Sequence, residues 1–163
     1  MCHVPENRIA YSSLPPHGLH LKGLVQSVEV TYLIHATEDP GRIGAAVARV
    51  LATSTLPETE LLEGHFGNQI VKARLHLTGE EAARAFENAV VKMPRGMKKE
   101  IISNIGSFLD EHSALFLRLD KQLLVSGSLS LATGDAVRIR VKPRIFLVKG
   151  GAAQFYSRLI GGD

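Results

Sequence analysis

Two stretches of this chain alternate with a period of two, and the alternation separates carbon from charge. Over 71–77, Val71, Ala73, Leu75 and Leu77 point one way while Lys72, Arg74 and His76 point the other. Over 137–144, Val137, Ile139 and Val141 alternate with Arg138, Arg140, Lys142 and Arg144. Successive side chains of an extended strand leave opposite faces, so each stretch reads as a strand with one apolar and one cationic side. Such strands fit a sheet that buries one face and leaves the other in water.

The rest of the chain supplies what covers the apolar face. A strand is expected over 24–36, where Val28, Val30, Tyr32 and Ile34 share a side. Thr37-Glu38-Asp39-Pro40 then reads as a helix start: Thr37 or Asp39 can cap, and Pro40 suits the first turn. Ile43, Val47, Val50 and Leu51 make the apolar stripe of that helix. Strand-like runs at 58–63 and 69–77 flank Gly64-His65-Phe66-Gly67-Asn68, a hairpin connection with one buried ring expected at Phe66. Thr78-Gly79-Glu80-Glu81 has the spacing of a capping box and opens a second helix. Pro94 and Gly96 end it, and a further helix is expected over 97–109. Strands at 115–120, 123–131 and 136–142 follow, with Asp120-Lys121-Gln122 as a turn, and 152–160 can close the chain as a short helix.

The order is β-α-β-β-α-α-β-β-β. Segregated hairpins and helices predict an α+β fold: a mainly antiparallel sheet with helices packed on one face. The chain divides into a flexible arm over 1–23, interrupted by Pro5, Pro15, Pro16 and Gly18, and one domain over 24–163. No apolar run reaches the roughly 18–20 residues of a membrane span, and no signal-peptide pattern opens the chain, so a cytoplasmic location is expected.

Charge is unevenly spread. From Arg118 onward the chain carries eight basic residues against three acidic ones, although the whole chain nets only +3. That asymmetry favours an anionic partner on one side of the molecule. If the apolar faces of the strands meet the helices, Lys72, Arg74, Arg138, Arg140, Lys142 and Arg144 share the outer side, joined by Phe116 and Arg118 from 115–120. Arginine and lysine neutralise phosphates, and exposed rings or guanidinium planes stack on unpaired bases, so this surface suits RNA. A plainly solvated outer face is the competing account; against it, these two strands present basic residues and no acidic ones. A second cluster, Lys92, Arg95, Lys98 and Lys99, surrounds the helix–helix turn and reads equally well as an anion site or as a solubilising turn.

Other chemistry has little support. Cys2 is the only cysteine, which excludes an internal disulfide and a multi-thiolate metal site. His35, Glu38, Asp39 and His65 are the nearest approach to a ligand set, but no pair has helical ligand spacing. No metal and no cofactor is expected. Gly41-Arg42-Ile43-Gly44 is not a dinucleotide fingerprint. Ser126 and Ser128 have no identifiable base, so no catalytic residue is assigned.

Three strings go further than patterning: Tyr32-Leu33-Ile34-His35-Ala36-Thr37-Glu38-Asp39, Gly64-His65-Phe66-Gly67-Asn68 and Leu117-Arg118-Leu119-Asp120-Lys121-Gln122. With Gly127 and Asp135, they make 28–142 resemble the archaeal RNA-binding domain or predicted exosome-subunit family. The resemblance implies a fold similar to the ribosomal protein that binds 5S RNA, RNA association, and an exosome link inferred from genomic context. It implies no catalytic residues. Beside Arg118, Lys121 and Gln122 on a hairpin tip would fit a phosphate or base contact. The expected function is RNA binding as an accessory of RNA processing or degradation. The alternatives are a ribosome-associated protein holding ribosomal RNA, with ribosome rather than exosome components as partners, and a small metal-dependent hydrolase.

Overall fold

The computed structural model describes residues 23–144 and 151–161. The expected arm lies outside the described residues except for Gly23, as do 145–150 of the tail. The elements are β1 (Val25–His35), α1 (Pro40–Leu51), β2 (Glu58–Glu63), β3 (Gln69–Thr78), α2 (Gly79–Lys92), α3 (Arg95–Ser103), a 3-10 turn (Ile105–Phe108), β4 (Leu115–Asp120), α4 (Lys121–Val125), β5 (Ala136–Pro143) and α5 (Gly151–Gly161). The strands form one antiparallel sheet in the order β2-β3-β1-β5-β4, with β1 at its centre and β2 and β4 at its edges. This is the expected α+β class.

Register follows from the alternation. Val28, Val30, Tyr32 and Ile34 pair with Leu77, Leu75, Ala73 and Val71 on one side of β1, and Val28 and Val30 pair with Val141 and Ile139 on the other. A slip by one residue would turn this whole apolar set to water, so the core enforces the pairing. The same face of β4 adds Leu115, Leu117 and Leu119. Over it lie Ile43, Val47 and Leu51 of α1, Phe86 and Val90 of α2, and Phe155, Tyr156 and Ile160 of α5, all in one buried cluster. The Tyr156 hydroxyl, 2.9 Å from Ser113 O and 3.2 Å from Val141 O, anchors α5 to the end of β5; burial raises its pKa.

Local signals performed unequally. Asp39 caps α1, its carboxylate accepting from the Gly41 and Arg42 amides, with Pro40 following it as expected. The capping box at Thr78 does not form. Thr78 makes no side-chain cap, and Glu81 instead accepts the hydroxyls of Thr53 and Thr55 at 2.7 and 2.5 Å. The helix expected over 97–109 is two pieces, α3 and the 3-10 turn, broken at Asn104, whose amide folds back on Glu100 O.

The strand expected over 123–131 does not exist. Asp120 is not in a turn but caps α4, its carboxylate accepting from Leu123 N at 2.9 Å. A single bridge, Leu119 to Leu131, is all the pairing in that stretch. Phe66, expected to be buried, is 92% exposed.

Candidate nucleic-acid interface

The face of the sheet that is open among the described residues carries the cations that the alternation set aside. At one level across it stand Glu58 of β2, Arg74 of β3, Thr31 of β1, Arg138 of β5 and Arg118 of β4, each opposite the next. Arg138 and Arg118 therefore face each other directly. Like charges in that position repel and cost stability. Arg118 is held by a bond from its guanidinium to Gly134 O at 2.9 Å, and Arg138 has no ion-pair partner among the described residues.

These two arginines and Lys72 line an open depression of about 290 Å³, with Leu33, Leu62 and Ala136 supplying apolar surface and Asp135 at its rim. The floor is flat sheet and the rim is mostly cationic. A chain of phosphates with interleaved bases has matching chemistry.

One level along the sheet the charge is balanced. Arg140 lies opposite Glu29 and Phe116. Its guanidinium is 3.3 Å from Asp110 and 3.8 Å from Glu29, and it sits 5.4 Å over the Phe116 ring. Burial alone would push the Asp110 carboxyl up. The amides of Ala114 and His112 and the Arg140 charge outweigh it and hold the group below the usual carboxylate range. His76 is likewise 3.3 Å from Glu29. The open face is thus not uniformly basic. β3 and β5 bring only cations, but Glu29, Glu58 and Glu60 come from the strands between and beside them, a cross-strand neighbourhood that no single stretch reveals. Arg140, ion-paired and set over the Phe116 ring, is a cation–π partner rather than a free charge. Lys142 is half-buried on the same side, and Arg144 is exposed just past the end of β5.

Lys121 and Gln122 do not join this surface. Lys121 is 1% exposed, not at a hairpin tip. Its ammonium donates to Leu33 O at 2.8 Å and to Glu38 at 2.9 Å, and it contacts Asp135. Gln122 donates to the other oxygen of Glu38 at 3.2 Å. Glu38 also accepts the His35 amide at 2.8 Å, and the His35 ring is 3.3 Å from Asp135. His35, Glu38, Lys121, Gln122 and Asp135, scattered through the sequence strings, thus meet in one network that ties β1, α4 and the turn before β5 together. The α4 start makes this possible, because Asp120 capping turns the next side chain inward.

Of the suggested metal ligands, only His35 and Glu38 come together, joined by Asp135. Lys121 already supplies the positive charge there. Asp39 is a helix cap, and His65 is at the β2–β3 tip against Phe66. In the second basic cluster, Lys92 bonds to Arg49 O at the end of α1, while Arg95 and Lys99 are exposed on the helical side of the molecule.

A family model described as RNA binding matches residues 27–143, from within β1 to the end of β5 and leaving out α5. The chain belongs to that family. It is similar to an RNA-binding protein of Pyrococcus abyssi, 27% identical over 130 residues that make up 76% of this chain and 84% of that one. A solved protein of Methanothermobacter thermautotrophicus has TM-score 0.70 and 28% identity, covering 84% of this chain and 98% of that one. A protein of Sulfolobus solfataricus, 22% identical, shares the fold at TM-score 0.65, with 83% and 97% covered. No described helix is long and apolar enough to cross a membrane.

Proposed function

We propose that this protein binds RNA on the open face of its sheet, as a binding module and not through a chemical step of its own. Lys72, Arg74, Arg118 and Arg138 hold phosphates, the Phe116–Arg140 pair offers a platform to a base, and Lys142 and Arg144 extend the track. The observation that carries this reading is Arg138 facing Arg118 across β4 and β5 beside Lys72, with no carboxylate paired to Arg138 among the described residues. A repulsive pair of that kind is relieved when an anion comes between the two charges. Membership of the RNA-binding family and the name of the Pyrococcus relative support the same reading.

The finer role we favour is as an accessory of RNA processing or degradation, exosome-associated; a permanent hold on ribosomal RNA would use the same surface. Retention on ribosomes sedimented at high salt separates the two.

The test of the site is the double variant Lys72→Glu/Arg138→Glu, read by fluorescence anisotropy of a labelled RNA across a salt series. We expect the variant to fold, because Arg138 is exposed and Lys72 half-buried on the open face, outside the apolar core, where substitutions usually change stability little, by within about 0.5 kcal/mol for an exposed site. Binding should collapse, and for the milder alanine pair the salt slope on single strands should fall by about 0.7 for each phosphate that is no longer neutralised. Unchanged affinity in the folded glutamate variant would move the site to Arg95, Lys98 and Lys99.

A further inference from the structure

The β2–β3 connection contains two side chains that its own geometry does not need. The Gly64 amide donates to Asn68 O at 2.7 Å and the Gly67 amide to Gly64 O at 2.9 Å, closing the turn. Gly67 has φ of 75°, where a side chain is strained, and a Cβ on Gly64 would lie 2.5 Å from Asn68 Oδ1. Both glycines and the asparagine of the string are therefore accounted for as turn chemistry. His65 and Phe66 are not.

Both of these rings are exposed, and Phe66 almost completely so. The rings meet edge to face, with centroids 5.0 Å apart and planes at 80°. This contact uses the edge of one ring and one face of the other, and with Phe66 92% exposed it leaves flat aromatic surface open to solvent. A tight turn is ordinarily served by small polar residues, so a phenylalanine held out in water by a closed loop calls for an occupant.

We propose that His65 and Phe66 form a finger that stacks on an unpaired nucleobase of the RNA lying on the open face. The inference rests on the RNA-binding reading and adds to it a preference for unpaired over duplex RNA. Continuity supports it: Leu62 and Lys72 line the cationic depression, and the finger continues the same hairpin. From Lys72 back to Asn68 is four strand residues, about 14 Å at 3.4 Å each, so one RNA can engage both. Charge narrows the ligand further. Glu63 of β2 adjoins the turn and disfavours a phosphate there, whereas the π-face of a base carries no charge to repel. Base-on-aromatic stacking is the contact that remains, and it tolerates any base.

The chain contains no tryptophan, so Phe66→Trp installs a sole reporter at the fingertip. Its emission and the anisotropy of labelled RNA are followed together, with a single-stranded oligomer and with a duplex of equal length. We expect the single strand to change the tryptophan emission and the duplex to leave it unchanged. Phe66→Ala should weaken single-strand binding about 5- to 150-fold, leaving duplex affinity and the salt slope as they were. Bound single strand with unmoved emission, or wild-type affinity in Phe66→Ala, overturns the finger and leaves the open face standing. Failure of the wild-type protein to bind either RNA removes both readings. A shift in sedimentation on Phe66→Ala without RNA would assign the ring to contact between copies and also overturn the proposal.

Discussion

Lys121 and Arg138 are cations from neighbouring parts of the chain, and their surroundings could hardly differ more. Lys121 is sealed between Glu38 and Asp135 beneath a strand carbonyl, while Arg138 stands in water opposite another arginine. The first charge is wholly committed inside the fold and the second is left over. A count of basic residues cannot make that distinction; the carboxylates that the fold brings within reach decide which charges remain for a ligand.

The sharpest way to break the comparison is to remove the committed charge. Lys121→Met leaves two carboxylates without their counterion, and loss of one partner of a buried pair typically costs about 3–5 kcal/mol. Asp135 is 45% exposed and can recover water, so the lower end of that range is expected in urea denaturation. Adding Asp135→Asn should restore part of the loss. A Lys121→Met protein as stable as wild type would show that the network does not hold β1 to α4.

A smaller effect separates Arg140 from Arg138. The Asp110 carboxyl lies below its ordinary range in the folded protein, so its stabilising contribution is complete above the unfolded-state pKa. That contribution is lost as pH falls through the lower, folded value. Asp110→Asn should cost about 2 kcal/mol at neutral pH, from hydrogen bonds made to a charged group. It should also flatten the acid limb of the stability profile. An acid limb as steep as that of wild type would remove Asp110 from this role.

The smallest effect is expected where the charge is left over. Arg138→Ala should change stability by less than about 0.5 kcal/mol, in the stabilising direction if repulsion from Arg118 dominates. Thermal melts of Arg138→Ala and Arg118→Ala in low and high salt check this, since screening should erase any gain. A clear loss on Arg138→Ala would mean that the arginine has a structural partner after all.

The sheet is legible in the sequence because alternation is enforced by burial on one side only: β1, β3 and β5 occur where their patterns put them. The stretch 123–131 misleads because Leu123, Leu124, Val125, Leu129 and Leu131 suit a strand in composition. One carboxylate at Asp120, capping the next turn, overrides that preference. The same cap explains why pattern alone misplaces Lys121, since a hairpin tip and a helix start send the next side chain in opposite directions. Phe66 reads as an inside residue because aromatic rings usually are, and nothing local says that the helical layer ends before the hairpin does. The cations of the open face are legible as residues; the carboxylates opposite them, Glu29 and Glu58, come from other strands and only the register brings them in.

β2, at the edge of the sheet, bears Glu58, Glu60 and Glu63 around a largely uncovered Leu61. An open edge with an apolar residue is a template on which another chain can add a strand. Here, two copies approaching edge to edge would bring the same three glutamates of each into one seam, and the repulsion would arrive before the first backbone bond could form. The acidic strand therefore suits the role of a terminator: it lets the sheet of the described residues stop growing at five strands.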